Sequence, residues 1–419
     1  MSKKLIIILL AFPFFMNAKS WEQNYSNGVF DRGYSAIQTI DGGYILTGET
    51  DLTNSSNSNL TVIKTNSLGN VLWSKNYGGS GTEIGYSIKE LDDGGYIILG
   101  ESNSYSLATS DSIDAWILKI DMIGDSIWSA SYGSYGIDFG FDITTTYDGG
   151  YVVTGTSYTN LGNNHLWIFK TDSIGNIIWD KKYGTMTFEV GLGIEATLDS
   201  GYIVSGIKYG GCSWLVKTDN NGDTLWTKTD CWNREVEDIE QTTDGGFITT
   251  GNGYGDFFLV KTDQYGNTIW DKKYGGINIE KGYDVEQTTD GGYIVAGWTS
   301  SFGSGTVDYP DIWLLKTNSL GDSLWSKTFG GLNIDKARSV KQTIDGGHII
   351  CGYMYKDILL IKTDGNGNIT STFNIQPPNL NRKLKNIVDI LGRESSSNKK
   401  GLLFYIYSDG TVEKKIILE

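Results

Sequence analysis

Asp31, Glu83, Asp138, Glu189, Glu280 and Asp335 each lie ten residues before an Asp-Gly-Gly-Tyr phrase or a close variant of it, and Glu235 lies near the same place in the remaining unit. Carboxylates repeated in this way would form a ring at the mouth of a central channel. Such a ring would attract a cation or a basic group. The competing use is structural, each carboxylate accepting backbone N–H bonds from a neighbouring loop. Acid–base catalysis needs an asymmetric pair, and a symmetric ring supplies none. The two histidines, His165 and His348, fall in different units, and His348 takes the place of the repeat's Tyr. That substitution reads as structural.

Two turns, Asp219-Asn220-Asn221-Gly222-Asp223 and Asp364-Gly365-Asn366-Gly367-Asn368, faintly resemble calcium loops. They lack the alternating ligands and distal Glu of an EF-hand, so they read as turns. No metal or cofactor is expected. Three cysteines occur. Cys212 and Cys231 lie nine and ten residues either side of Asn221, the centre of a predicted hairpin turn, so they should face each other and form a disulfide. Cys351 sits where other units carry Thr47, Leu99, Thr154, Ser205, Thr250 and Ala296, which marks a buried small side chain rather than a nucleophile.

The elements that would hold these residues follow from the repeat. The phrase starts at Asp41, Asp93, Asp148, Asp199, Asp244, Asp290 and Asp345, seven times at intervals of 45–55 residues, which marks a repeat architecture. Each unit offers four strand candidates rich in β-branched and aromatic residues and bounded by turn formers. Seven such units predict an all-β, seven-bladed β-propeller of four-stranded blades. Six units carry a Trp nine residues after a Lys, from Lys64/Trp73 to Lys316/Trp325, whereas Lys362 is followed by Ser371. The missing strand stands at the other end: Trp21-Glu22-Gln23-Asn24-Tyr25 matches Trp73 to Tyr77, and Trp21 precedes Asp41 by the usual 20 residues. The N-terminal segment should therefore complete the last blade and cover an otherwise open edge.

Length variation is confined. The interval from the second-strand Gly to the third-strand Lys is 16, 19, 15 and 19 residues in units 1, 2, 3 and 6, and 10 or 11 in the others. These loops share one face with the connections between blades, so one face should be uniform and the other irregular. Tyr105, Tyr158, Asn163, Asn164, Trp298, Phe302, Tyr309 and Asp311 in or beside the tall loops are the candidate contact residues. Tolerated insertion at exposed tips would leave the same pattern.

The formal charge of −15 disfavours nucleic acid and anionic membranes as partners. Residues 1–20 read as a signal peptide: Lys3 and Lys4, an apolar run from Leu5 to Met16, then Ala18 and Ser20. No transmembrane span is expected. The propeller is placed at 21–375, a linker opened by Pro377-Pro378 at 376–383, and a small β segment at 384–419.

The Lys-Thr-Asp…Gly-Asn…Trp phrase resembles, over one hairpin, the tryptophan-docking motif of quinone-dependent propellers and the Asp-box of sialidases. The whole unit resembles secreted propeller repeat proteins of Bacteroidota. The tail, from Lys385-Asn386-Ile387 through Leu391-Gly392-Arg393 to Tyr405-Ile406-Tyr407-Ser408-Asp409-Gly410 and the final Leu418-Glu419, resembles a type IX secretion C-terminal sorting domain, without its usual Tyr-Pro-Asn-Pro opening. This resemblance implies the secretion machinery as a partner and a secreted or outer-surface location. The function expected is a scaffold binding a glycan or protein through its irregular face. A glycan-active hydrolase or lyase on the same face is the alternative.

Overall fold

A computed structural model describes residues 20–369 apart from short segments at 52–56, 108–111, 135, 159–162, 186–187, 232–233 and 305–306, together with 384–389, 393, 401–407 and 412–417. Residues 1–19 of the expected leader and the expected linker at 376–383 lie outside the described residues. The chain divides into two compact units, one ending at Ser371 and one from Thr372 to Glu419.

The first unit is all-β, with seven antiparallel four-stranded sheets. Blade 1 comprises Phe30–Gln38, Tyr44–Asp51, Asn59–Thr65 and Val71–Tyr77, running from the axis outwards. Blades 2 to 6 repeat this order from inner strands Glu83–Glu90, Asp138–Thr145, Glu189–Ala196, Arg234–Gln241 and Glu280–Gln287. Blade 7 contains Asp335–Gln342, His348–Met354 and Asp357–Thr363, and its outer strand is Trp21–Tyr25. Trp21 pairs with Lys362 and Tyr25 with Ile358. The predicted borrowed strand thus closes the propeller.

Burial explains the composition of each strand. The second and third strands are covered on both faces by adjacent blades, so Tyr96–Ser102 is buried throughout and Asp114–Ile120 nearly so. Their sequences are accordingly near-continuous apolar runs. The outer strands alternate between half-buried and exposed residues, as in Val71–Tyr77. Blade interfaces form the cores: Ile97, Leu99 and Ile117 of blade 2 meet Val153, Trp167 and Phe169 of blade 3.

The uniform face is built from one turn used seven times. In blade 1 the Asp41 carboxylate accepts the Gly43 amide at 2.9 Å and the Thr39 hydroxyl at 2.6 Å, and pairs with Lys64 at 2.8 Å. Lys119, Lys170, Lys217, Lys261, Lys316 and Lys362 pair with their own phrase Asp in the same way. A buried ammonium requires such a partner. Burial alone would raise the Asp244 pKa, but bonds from Thr242, Gly246 and Lys261 outweigh it and hold it at about 2. The second turn on this face receives the Trp of the preceding blade: Gly124 lies 3.0 Å, measured from an ideal Cβ, from the Trp73 indole, with φ of 83°.

The second unit is a three-stranded antiparallel sheet of Leu384–Asp389, Gly401–Tyr407 and Val412–Ile417 in chain order.

Candidate binding face

The six expected carboxylates do stand at equivalent positions, but they do not face a channel. Asp31, Glu83, Asp138, Glu189, Glu280 and Asp335 are all fully buried. Each is held by the loop that enters its inner strand. Asp31 accepts the amides of Asn27 and Gly28, Glu83 those of Gly79 and Ser104, and Glu280 those of Gly276 and Ser301. Asp138 accepts from Ser134 and Tyr158, Glu189 from Thr185, and Asp335 from Gly331 and Tyr355. Buried backbone donors need partners, and the carboxylates supply them.

Blade 5 corrects the seventh member. Arg234, not Glu235, occupies the position, pairing with Asp230 at 3.3 Å and Asp271 at 2.6 Å. Glu235 is half-exposed and pairs with Lys281 at 3.5 Å. Three more substitutions accompany this one. Asp230 replaces the Tyr that in five blades donates its hydroxyl to the next blade's turn, as Tyr25 does to Gly69 at 2.7 Å. Cys231 replaces a Gly such as Gly184, whose Cβ would meet the Glu189 carboxylate at 2.3 Å. Val236 replaces the inner-strand Gly. With the carboxylate gone, the extra side chain fits, and Cys231 is disulfide-bonded to Cys212. The lost Tyr leaves a cavity of about 580 Å³ between blades 4 and 5, lined by Lys228, Asp230, Arg234, Tyr254 and Asp271 among others.

The expected contact residues range from exposed to buried. Tyr105, Phe302 and Tyr309 are about half exposed on the tall loops. Tyr105 lies over Trp116 at 5.4 Å and Phe302 over Trp313 at 5.2 Å, so the loops of blades 2 and 6 use the same aromatic cap. Trp298 is half-buried beside the axis, its Nε1–H directed to the Tyr283 hydroxyl at 3.4 Å. Tyr158 ends a second strand, with its amide on Asp138, and Asn163 directly precedes a third strand. Asn164 and Asp311 are buried. Asn164 bridges to Phe188, and Asp311 accepts the Ser304 amide at 2.7 Å, so these two hold loops in place. His165 lies 3.3 Å from Glu189. His348 is buried against Trp325, and burial with Lys362 and Lys316 lowers its pKa to about 4. Cys351 is a buried free thiol, and burial raises its pKa. Both calcium-like loops are closed by their own first Asp: Asp219 accepts the amides of Asn221 and Asp223, and Asp364 those of Asn366 and Asn368. Among the described residues no cluster of three metal-ligating side chains occurs.

The residues that do surround the axis lie one and three positions after the buried carboxylate. Tyr34 contacts Tyr86 at 5.3 Å and Tyr86 contacts Phe141 at 5.9 Å. On the other side Arg338 stacks on Tyr283 at 4.1 Å and reaches Tyr34 at 5.6 Å. Lys281 pairs with Glu237 at 2.5 Å and lies 5.4 Å from the Tyr283 ring. Contacts passed from blade to blade in this way run around the axis from blade 5 through blades 6, 7, 1 and 2 to blade 3. The inner strands make a second set of links near the uniform face. Asp142, Asp238 and Asp284 accept the amides of Ile194, Val285 and Val340 in the next blade. Glu195, Glu240 and Glu286 likewise accept those of Gln241, Gln287 and Gln342. Inner strands are sheet edges, and these carboxylates satisfy their unpaired N–H groups. Burial raises Glu195 to about 7 and Glu240 to about 8, although Lys341 opposes the shift at Glu240.

Sequence reasoning missed both axial sets. A signal was present: these positions change identity between units whose remaining residues recur.

No family model and no curated protein matches the chain. Solved structures show the fold. A streptogramin B lyase is 10% identical over 82% of this chain and 98% of its own, with a TM-score of 0.51. Sqt1 of Chaetomium thermophilum, bound to the N-terminus of ribosomal protein L10, is 8% identical over 81% of this chain and 98% of its own, also at 0.51. Raptor of the same organism is 7% identical over 83% of this chain and 29% of its own, at 0.54. These likenesses establish the propeller fold alone.

Proposed function

We propose that this protein is a binding scaffold that takes a glycan or protein ligand on the irregular face of its propeller. It would work outside the cell or on its surface, exported through the N-terminal leader and a type IX-like route that reads the C-terminal tail. The carrying observation is the contrast between the two faces. One is fixed by seven copies of the same Asp–Lys turn. The other carries the tall loops, the half-exposed aromatics and axial side chains that differ from blade to blade. Variation tolerated on a rigid frame is how scaffolds acquire specificity. The burial of six candidate carboxylates against backbone amides removes them from acid–base work and favours binding over hydrolysis.

The test is a glycan array and a surface-protein panel probed with the whole secreted chain. Shortening the blade 2 and blade 6 loops should abolish capture, while Lys75→Met at the other end of the molecule should not. Capture unaffected by both loop deletions would refute the reading. Export is tested separately, by asking whether removal of residues 384–419 leaves the protein inside the cell envelope.

A further inference from the structure

Four cations converge where the channel meets the irregular face. Arg32 belongs to blade 1, Lys281 to blade 6, and Lys336 and Arg338 to blade 7, so they occupy three adjacent blades. Two have carboxylate partners: Arg32 pairs with Glu49 at 3.4 Å, and Lys281 with Glu235 and Glu237. Among the described residues, Lys336 and Arg338 have no carboxylate within ion-pair distance. Their close companions are aromatic side chains, the Tyr353 side chain also being hydrogen-bonded to Arg338 and the Glu237 carboxylate lying near enough to act on it. Lys336 lies 4.5 Å from the Trp298 ring, and Arg338 lies between Tyr34 and Tyr283. Arg338 Nε is buried with no hydrogen-bond partner. In a chain of net charge −15, carboxylates are plentiful, yet among the described residues none forms an ion pair with Lys336 or Arg338. A guanidinium presented in this way matches a carboxylate bidentately.

The opposite arc differs. At the position equivalent to Arg32 and Lys336, blades 2, 3 and 4 carry Ile84, Phe139 and Val190, and Phe139 stacks on Phe141 at 5.8 Å. One side of the mouth is thus cationic and aromatic and the other apolar, with Glu235 of blade 5 between them paired to Lys281.

We propose that the channel mouth is a recognition site for an acidic peptide segment, a carboxylate held by Lys336 and Arg338 and a neighbouring apolar side chain laid against Ile84, Phe139 and Val190. This deepens the scaffold reading above and rests on it. A peptide is favoured over an acidic glycan because sugar hydroxyls facing the apolar arc would lose their hydrogen bonds to water without replacement. Burial, together with Arg338, Lys281 and Arg32, lowers the Lys336 pKa to about 8, which is the cost an incoming anion would relieve.

The test uses the whole protein, an N-acetylated dipeptide amide Glu-Phe as probe, its Gln-Phe isostere, and an oligouronate. Binding is followed by calorimetry and by the NMR titration of the Lys336 ammonium. The expected result is binding of Glu-Phe at least tenfold tighter than Gln-Phe, and a Lys336 pKa that rises on saturation. K336M, a half-buried rim change, should weaken binding at least fivefold, as should R338M if it folds. Equal binding of the two dipeptides, an unmoved Lys336 pKa, no effect of K336M, or preference for the oligouronate would each overturn the proposal. Loop-dependent capture in the panel experiment is measured independently, so the mouth site can fail while the scaffold reading stands.

Discussion

The indole of Trp21 lies on Gly69: two of its ring carbons are 2.8 Å from where a Cβ on that glycine would sit, and its Nε1–H donates to the Ser67 carbonyl at 3.2 Å. Trp21 belongs to the last blade and Gly69 to the first, so this contact and the pairing of Trp21–Tyr25 with Asp357–Thr363 are the closure of the molecule.

Trp21→Ala should therefore destabilise the propeller by about 3–5 kcal/mol, the usual cost of truncating a buried Trp. Removing residues 21–25 altogether should add self-association, because Asp357–Thr363 would become a bare edge. Urea unfolding followed by circular dichroism, with light scattering on the truncation, measures both. Gly69→Ala should cost about 1–3 kcal/mol, since its φ of 77° is strained for alanine and the methyl group meets the indole. A truncation that unfolds at the wild-type urea concentration and stays monomeric would show that closure does not stabilise the ring.

At the blade 4–5 junction, Arg234→Met should destabilise by about 2–4 kcal/mol by stranding Asp230 and Asp271. Cys212→Ser with Cys231→Ser should cost about 2–3 kcal/mol through the loop it frees. Arg234→Glu, which restores the residue type of the other blades, should be worse than Arg234→Met, because the carboxylate would face both acids beside a Cys instead of a Gly. Thermal unfolding of the three variants ranks them.

His348 stands where the other blades have Tyr44, Tyr96, Tyr151, Tyr202, Phe247 and Tyr293. Its folded pKa of about 4 lies below the ordinary 6.5, so the unfolded chain binds the proton first as pH falls. The stability this group contributes is complete above 6.5 and is lost on acidification towards 4. His348→Tyr should remove that loss, making the variant gain about 2–3 kcal/mol on wild type between pH 7 and pH 4. Parallel denaturant curves at the two pH values would show no relative gain if the imidazole is protonated in the folded state.

Glu240 has the opposite slope. Its folded pKa of about 8 lies above the ordinary 4.5, so the folded chain keeps a proton that the unfolded chain releases across this window. Stability should fall as pH rises from 4.5 to 8. Glu240→Gln keeps an oxygen for the Gln287 amide and cannot titrate. It should match wild type near pH 4.5 and exceed it by about 1–3 kcal/mol near pH 8. A pH-independent difference between the two proteins would show that Glu240 is ionised throughout.

The blades and their closure were legible because each Trp–turn contact is restated in sequence, so the missing Trp after Lys362 could be matched to Trp21 by spacing. The carboxylates were legible as a set, but their direction was not, since whether Glu83 faces solvent or the amides of Gly79 and Ser104 depends on a loop path. Arg234 was concealed by compensation: four positions changed together and the Trp226–Asp244 interval shortened to 18, so Glu235 drew the alignment. The Tyr34–Arg338 contact joins the two ends of the chain through ring geometry, and no local pattern encodes it.

Within the propeller, the outer strand of the last blade comes first along the chain, and its partner Asp357–Thr363 comes last. Six blades can assemble in order as they emerge, but Trp21–Tyr25 must wait unpaired until the final hairpin arrives. This is a long-range pairing of the kind that slows folding. The borrowed strand is thus a clasp in time as well as in space. A chain interrupted before Asp357–Thr363 leaves Trp21–Tyr25 without its partner, and only one that includes this strand can cover the edge.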